Sequence, residues 1–581
     1  MPSPQPDHRS LLSKMALETP ALVVDLELVG RRVDEFRSAI GDWADIRYAV
    51  KSNPASRVLD TLHEQECGFD IASVAELRMV LQAGADPSDV VFSAPVKRPE
   101  QVAAAYQAGV RHFAVGSPKE LEKVMAHTGA DVKVLIRLAL EGEEARWPQV
   151  NWGVSHSQAL SMVDRLRNQP TGQTHKGEIG LTFHVGSQAA PGAWSSALAK
   201  VGHLMTELPD VVTIVDIGGG FPASYRQGPD AHIEMWKAIG AELAAAKMVL
   251  PYQPQSWIAE PGRALVADSG TLYTSVMDID VDRNTVHLDA GAFHGLYEAS
   301  VAGGGIEYQW DYFDRDIAVT TPMKVAGMSC DSDDRLGQTV DLPVDLAPGE
   351  YLAARQSGAY SLSYRSQFCG LESPSVLAVE QTADEPPDYE VAVSGSDAFE
   401  EAAGVEFDVF AQSGFLESDG TLATFRAYDP ISRFIIMRET DGSIGSAMRM
   451  APASDLGFTA LHSIPVSSQG WTAVETAGTE NITEIITLSS RGASLRTSVA
   501  AYAAGWFDSR ALGRNFVVAA IDTQVLDMLE RRLGLTVTRL GDPLDYMGSP
   551  TVGMLLDLRP GRQQTMREST FGQSVLASTT A

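Results

Sequence analysis

The sequence predicts an α/β protein: a (β/α)8 barrel, then an all-β domain, then a further α/β domain. Three observations predict it. Short apolar, β-branched runs alternate with helix-like stretches up to residue 263. The texture then changes to strands split by turns, without helices between them. Helix–strand alternation returns beyond an acidic, proline-containing segment, EQTADEPPDYE (380–390), which reads as a linker.

The first five runs are IRYAVK (46–51), GFDIAS (68–73), VVFSAP (90–95), HFAVGS (112–117) and KVLIRL (133–138), starting about 22 residues apart. Stretches such as VAELRMVLQAG (74–84) and EQVAAAYQAG (100–109) separate them. GLTFHVGS (180–187), VTIVDIGGG (212–220) and SWIAEPGR (256–263) follow at wider spacing. Near-continuous apolar strands joined by crossover helices imply a parallel sheet covered on both faces, and eight units imply closure into a barrel. ALVVDL (21–26) precedes the barrel and is expected to join the β-domain, whose strands are TLYTSVMDIDV, NTVHLDAG, TPMKVAGMSC and EYLAARQSG. The expected boundaries are 1–36 for a tail and strand, 37–263 for the barrel, 264–380 for the β-domain, 381–390 for the linker and 391–581 for the last domain.

Composition narrows the function. The 581 residues carry a formal net charge of −30, which repels nucleic acid and anionic lipid. No apolar run is long enough to span a bilayer, and MPSPQPDHRS lacks the apolar core of a signal peptide. Three cysteines, Cys67, Cys330 and Cys369, make no disulfide framework, so a reducing, cytoplasmic setting is expected.

Six strand ends carry chemically able residues: Lys51, Asp70, Arg137, His184, Gly218–Gly220 and Glu260. In a (β/α)8 barrel those ends share one face, and that face holds the site. The glycines Gly218, Gly219 and Gly220 follow strand seven, and Gly262 and Arg263 follow strand eight. Loops after strands seven and eight are the usual phosphate site of this barrel. A cofactor with a phosphate, an aldehyde and a pyridine ring needs in addition a lysine, an acid for the ring nitrogen and a group on the ring face. Lys51, Glu260 and His184 supply these types, and the constellation fits pyridoxal phosphate (PLP).

YAVKSN, FDIAS, FHVGS, DIGGGFP, AEPGR, CDSDD and SGAY, in this order, resemble the fold-type III PLP-dependent decarboxylases, which include ornithine, lysine and diaminopimelate decarboxylases. The resemblance covers about residues 15–380. It implies Lys51 as the Schiff-base lysine, Glu260 as the pyridinium partner and His184 as the stacking residue. Ser187, Gly220, Arg263 and Tyr360 would hold the phosphate, with Asp70, Glu76 and Arg137 in support. It also implies a head-to-tail homodimer in which Cys330 of one subunit protonates the product in the other. Asp331 would contact the far end of the substrate.

The segment GMSCDSDDRL (327–336) is CDSDD-type, as in the ornithine and lysine enzymes, where diaminopimelate enzymes carry a CES-type segment. GAFHGLYEA (291–299) resembles a segment of bacterial ornithine/lysine decarboxylases, with Glu298 facing the substrate tail. These residues favour a small basic amino acid with a distal ammonium group. Met328 stands where the family has proline, so a modified or diaminopimelate-type substrate is the alternative. An inactive regulatory homologue and a racemase are further alternatives. Asp333 and Asp334 are expected to shape the loop, and no metal is expected.

In the last domain, RFIIMRETDGSIGSAMRM (433–450) reads as a hairpin and ITEIITLSS (482–490) as a strand entering a helix through RGASLR. A strand, a glycine loop and a helix N-terminus form a pyrophosphate cradle. The order resembles the GNAT acyltransferases, in which Arg491, Gly492, Ala493, Ser494 and Leu495 would grip an acyl-CoA such as acetyl-CoA. Glu475 and Glu484 are candidate bases and Tyr546 a candidate acid. The fusion suggests a bifunctional enzyme that makes a mono-N-acylated diamine for a specialised metabolite. A non-catalytic packing domain is the alternative.

Overall fold

The computed structural model describes residues 19–558 except 141–144, 148–151, 169–174, 226–230, 302–304, 313–318, 338, 372, 380–388, 413–424, 440–441, 491–494, 534–535 and 547–548. The expected tail before residue 19, most of the linker and Arg491–Ser494 of the acyl-CoA loop therefore lie outside the described residues. The chain forms two units, one spanning Thr19–Ser375 and the other carrying the residues from Val376 onward.

The first unit opens with β1 (Ala21–Asp25). Asp25 then caps the helix Leu26–Ile40, its carboxylate accepting from the Leu28 N–H at 2.9 Å. Phe36 of this helix meets Phe221 edge-on at 4.8 Å and Trp236 at 5.4 Å. The helical ring of the barrel thus begins at Leu26, eleven residues before the expected boundary at 37.

All eight apolar runs are strands. They are β2 (Asp45–Ala49), β3 (Gly68–Ile71), β4 (Val90–Phe92), β5 (His112–Val115) and β6 (Lys133–Arg137). A short β7 (Ala145–Trp147) intervenes before β8 (Ile179–Thr182), and β9 (Ser187–Ala189) pairs with β7 outside the barrel. β10 (Val212–Asp216) and β11 (Ser256–Ala259) complete the set. They close in the order β10-β11-β2-β3-β4-β5-β6-β8, and each described pairing is parallel. Val91, Ala114, Leu135, Ile214 and Ile258, from five of the eight barrel strands, form one buried cluster, so the barrel is a packed core.

The all-β domain comprises β12 (Gly270–Asp280), β13 (Thr285–Leu288), β14 (Gln309–Tyr312), β15 (Thr320–Gly327), β16 (Val340–Pro343) and β17 (Tyr351–Arg355), in the order β14-β17-β12-β13-β15-β16. β1 pairs antiparallel with β12, Ala21 opposite Tyr273, which joins the N-terminal strand to this domain. β18 (Ser375–Val379) follows in sequence.

The second unit holds β19 (Glu390–Val393), β20 (Arg433–Arg438), β21 (Ile444–Pro452), β22 (Ile482–Ser490), β23 (Phe516–Asp522), β24 (Val537–Arg539), β25 (Leu544–Tyr546) and β26 (Ser549–Asp557). Its sheet runs β19-β20-β21-β22-β23-β26-β24. Every neighbouring pair in that order is antiparallel except β22 and β23. The helix Leu495–Ala511 connects those two strands. β20 and β21 form the expected hairpin.

One buried cation organises this unit. Arg449 on β21 is 1% exposed. It donates through Nε and Nη2 to the Glu406 carboxylate at 3.0 and 2.6 Å and through Nη1 to Asp429. The guanidinium also lies over Phe434, 4.6 Å from the ring centre. A buried charge is tolerable only when paired. Glu406→Ala should therefore destabilise the chain by about 3–5 kcal/mol. The double replacement Glu406→Leu/Arg449→Met should cost much less, as read by urea unfolding.

Candidate active site

The C-terminal ends of the barrel strands surround a cavity of about 480 Å³. Lys51, Asp70, His184, Ser187, Gly220, Glu260, Gly262, Arg263, Glu298 and Tyr360 all line it. Lys51 sits in the 3-10 turn Val50–Ser52 that ends β2. Its ammonium opens onto the cavity and bonds Asp70 Oδ2 at 3.0 Å. Burial works against the charge on Lys51, but the Asp70 carboxylate beside it prevails and holds the proton on. The SGAY segment docks on the same turn: the Tyr360 N–H donates to Ser52 O at 2.6 Å and Asn53 Nδ2 to Gly358 O at 2.8 Å.

Two acids meet at the ends of the neighbouring strands β10 and β11. Asp216 ends β10, accepts from Thr182 Oγ1 at 2.9 Å and from the Gly218 N–H at 2.9 Å, and is hydrogen-bonded to Glu260. Burial pushes Asp216 up to about 6. Glu260 is pushed well above the carboxylate range by burial and by the nearby Asp216 and Asp70. With the fewer donors, Glu260 keeps the proton of the pair. Its Oε1 is buried without a hydrogen-bond partner. His184 Nδ1 accepts from the Gly186 N–H at 3.0 Å, which leaves the ring proton on Nε2. Burial, with Arg137 and Lys51 adding to it, keeps this imidazole neutral.

At the opposite end the cavity is lined by a paired guanidinium and by glycines. Arg263 is 4% exposed, and its Nε donates to Ser187 Oγ at 3.3 Å. Its two Nη atoms bond Glu298 at 2.7 and 2.6 Å, and Nη1 also bonds Tyr225 Oη at 2.7 Å. Gly218 has φ +64° and Gly220 +103°, and a Cβ would lie 2.0 Å from Phe183 O at the first and 2.1 Å from Gly186 O at the second. Neither position admits a side chain.

Some expected site residues lie elsewhere. Glu298 lines the cavity, but both its carboxylate oxygens are engaged by Arg263. Glu298 thus faces the cavity with its carboxylate paired to the buried guanidinium. Arg137, Gly218 and Gly219 are not among the residues lining the cavity, and Arg137 is buried in the field of Glu260, Asp70 and Asp216. Glu76 Oε2 accepts from the Ala72 N–H at 2.5 Å, a local cap. Cys330 and Asp331 are exposed and are not among the residues lining the cavity within one chain. Their loop is tied down by Asp334, 1% exposed, which accepts from the Ser329 N–H at 3.1 Å. Asp331 Oδ1 accepts from the Asp333 N–H at 2.8 Å.

Three tyrosines were not anticipated. Tyr364 stacks on Tyr360 with centroids 5.7 Å apart, and Tyr297 meets Tyr364 at 4.7 Å. The four-residue spacing of Tyr360 and Tyr364 on one helical turn was a usable signal. Tyr225, the Arg263 partner, carried none. In the second unit Glu484 is a helix anchor: its carboxylate accepts from the Thr459 N–H, Thr459 Oγ1 and the Ala460 N–H at 3.0, 2.6 and 2.6 Å. With its oxygens committed, it is not the base expected from the sequence. Glu475 is exposed on the helix Ser468–Ala477, Tyr546 is half-buried on β25, and Leu495 begins its helix.

A parallel barrel with an amine and an acid at one end of its rim cavity and a buried guanidinium at the other defines an enzyme built around an anionic cofactor. Comparison with known proteins gives the family. Residues 26–267 match the pyridoxal-binding domain of the pyridoxal-dependent decarboxylases. The chain is 30% identical over 377 residues to diaminopimelate decarboxylase of Vibrio cholerae, covering 60% of this chain and 85% of that protein. It is 29% identical over 409 residues to lysine/ornithine decarboxylase of Selenomonas ruminantium, covering 67% and 96%. The crystal structure of the Vibrio vulnificus lysine/ornithine decarboxylase with putrescine superposes with a TM-score of 0.55 at 26% identity, covering 62% of this chain and 94% of that one. The chain belongs to the fold-type III PLP-dependent decarboxylases and is a carboxy-lyase that uses PLP. The cavity fits that cofactor, because the buried oxygen of Glu260 has no hydrogen-bond partner in the protein and is otherwise unexplained.

The raised acid pair has a measurable consequence. Above the ordinary carboxylate range near pH 4, unfolded chain releases protons that folded chain keeps. The stability of cofactor-free protein therefore falls as pH rises through about 6, where Asp216 titrates. Glu260→Gln mimics the protonated acid. It should raise the unfolding temperature of cofactor-free protein at pH 8 and leave it near the parent value at pH 4.

Proposed function

We propose that this protein decarboxylates a small basic amino acid of the ornithine or lysine type to a diamine, with PLP held by Lys51. The observation that carries this reading is the convergence on one cavity of the Lys51 amine, the unpartnered Glu260 oxygen and the Arg263–Ser187 pocket. When bound, the cofactor supplies an electron sink for the pair left as CO2 departs. Glu260 holds a proton where a pyridine nitrogen can share it, and neutral His184 offers a flat face without competing charge. Arg263, Ser187, Gly220 and Tyr360 hold the phosphate, with Gly218, Gly219 and Gly262 shaping the approach. Asp70 keeps a proton on the free Lys51 and receives it when that amine is engaged.

Cys330 donates the proton that replaces CO2, and Asp331 holds the distal ammonium. Both act in the partner's cavity of a homodimer, a reading supported by their exposure away from the cavity of their own chain. Diaminopimelate is the second substrate reading, favoured by the relatives of that name.

The unit from Val376 onward is proposed to be a GNAT-like acyltransferase acting on the diamine with an acyl-CoA. The parallel pair β22–β23, joined through the helix Leu495–Ala511, supports it, because a helix that follows a strand in this way presents its N-terminus near the strand's C-terminal end. Such an N-terminus suits a pyrophosphate. A non-catalytic packing role remains the alternative for this unit.

Incubation with PLP and ornithine, lysine or diaminopimelate, read by mass spectrometry, should give CO2 and a diamine from the first two. Release of lysine from diaminopimelate alone would overturn the substrate assignment. Lys51→Ala should abolish turnover and the absorbance of lysine-bound cofactor near roughly 420 nm. Mixing inactive Lys51→Ala and Cys330→Ala proteins should restore activity, to roughly a quarter for random subunit exchange; no recovery would refute the shared site. With acetyl-CoA present, diamine without any acylated product, from this or other acyl donors, would remove the acyltransferase reading.

A further inference from the structure

A second cluster of chemically able side chains lies on the helices outside the barrel. His156 is the first residue of the helix His156–Arg167, and His203 and Glu207 stand one turn apart on the helix Ala193–Glu207. One donor atom from each of the three lies within 4.8 Å of the others. His156 Nε2 is 2.6 Å from Glu207 Oε1, and the two imidazole centroids are 4.8 Å apart at 35°. We propose that His156, His203 and Glu207 form a surface site for a divalent transition-metal ion of the zinc class.

The chemistry of the donors carries the proposal. Two imidazole nitrogens and one carboxylate are the ligand types zinc takes, and three protein ligands leave a position for water. Side chains at i and i+4 of a helix lie on one face, so His203 and Glu207 form a ready two-point chelate. His156 supplies the third point from a backbone position that is itself fixed. Ser155 and Gln158 close a reciprocal cap around it, the Ser155 N–H donating to Gln158 Oε1 at 3.0 Å and the Gln158 N–H to Ser155 Oγ at 3.3 Å. Donor atoms around a tetrahedral ion at ~2.0–2.1 Å bond lengths sit roughly 3.3 Å apart. Partly exposed side chains reach that spacing by small rotations, without moving either helix. The structural alternative, a His–Glu hydrogen bond with a neighbouring imidazole, explains two of the three residues and leaves His203 without a task.

The consequence is mechanical. The ion would tie residue 156 to residue 203, and the chain between them contains β8, His184 and Ser187. Binding to the folded chain alone stabilises it by mass action. The expectation of no metal came from the cysteine–aspartate loop and the cofactor chemistry, and it stands apart from this site.

The test uses the full chain, stripped with a chelator and titrated with Zn2+ and, for its visible spectrum, Co2+. One ion should bind per chain, with an upward shift of the unfolding temperature and Co2+ bands of a low-coordinate nitrogen–oxygen site. His156→Ala/His203→Ala should weaken binding by more than the roughly 10–100-fold that loss of an outer partner costs, while decarboxylation is unchanged. The exposed thiols of Cys330 and Cys369, in contact with each other, are the competing soft donors. Undiminished stoichiometry and affinity in the histidine variant, or Co2+ bands of sulfur ligation abolished by alkylation, would overturn the proposal.

Discussion

Closure of eight parallel strands is the constraint on which the catalytic half of this protein depends. Parallel strands point their C-terminal ends to one rim, and the polar groups that follow each strand must share that rim. Asp70, Arg137, Asp216 and Glu260 are thereby buried within one small region, beside the cavity-facing Lys51. Burial makes each charge costly, so the groups settle as partners. Lys51 keeps its proton beside Asp70, while Glu260 gives up its charge beside Asp216. The cavity is polarised before any cofactor enters it, with a proton donor at one end and a guanidinium at the other.

The Arg263–Glu298 pair adds a second layer. The guanidinium at one end of the cavity is already answered by a carboxylate at 2.6 Å. A buried pair of this kind is neutral overall, so the phosphate end offers hydrogen-bond donors, a polar serine and open backbone rather than an unbalanced cation. Tyr225 and Tyr360 flank the same guanidinium.

Much of this was legible in the chain. The eight barrel strands were readable because both of their faces are buried, which makes them near-continuous apolar runs. The site residues at strand ends were readable because each follows such a run directly. The Glu484 cap and the Glu298 pairing were not, because each depends on a partner far away in sequence. Tyr225 and Tyr297 likewise gain their role from neighbours that only folding supplies. The helix Leu26–Ile40 was passed over because its polar face masks a narrow apolar stripe, Val29, Val33, Phe36 and Ile40.

The sequence by itself determined the order of strands, the identity of the reactive groups and the separate character of the C-terminal unit, since period, glycine placement and residue chemistry are local properties. Only the tertiary structure decided protonation and pairing. Whether an acid is free, capped or neutral depends on burial and on the nearest charge, and those are set by which strands and helices come together. The same holds for His156, His203 and Glu207. In sequence they are a lone histidine and a distant pair, and the packing of two helices makes them a set of three donors.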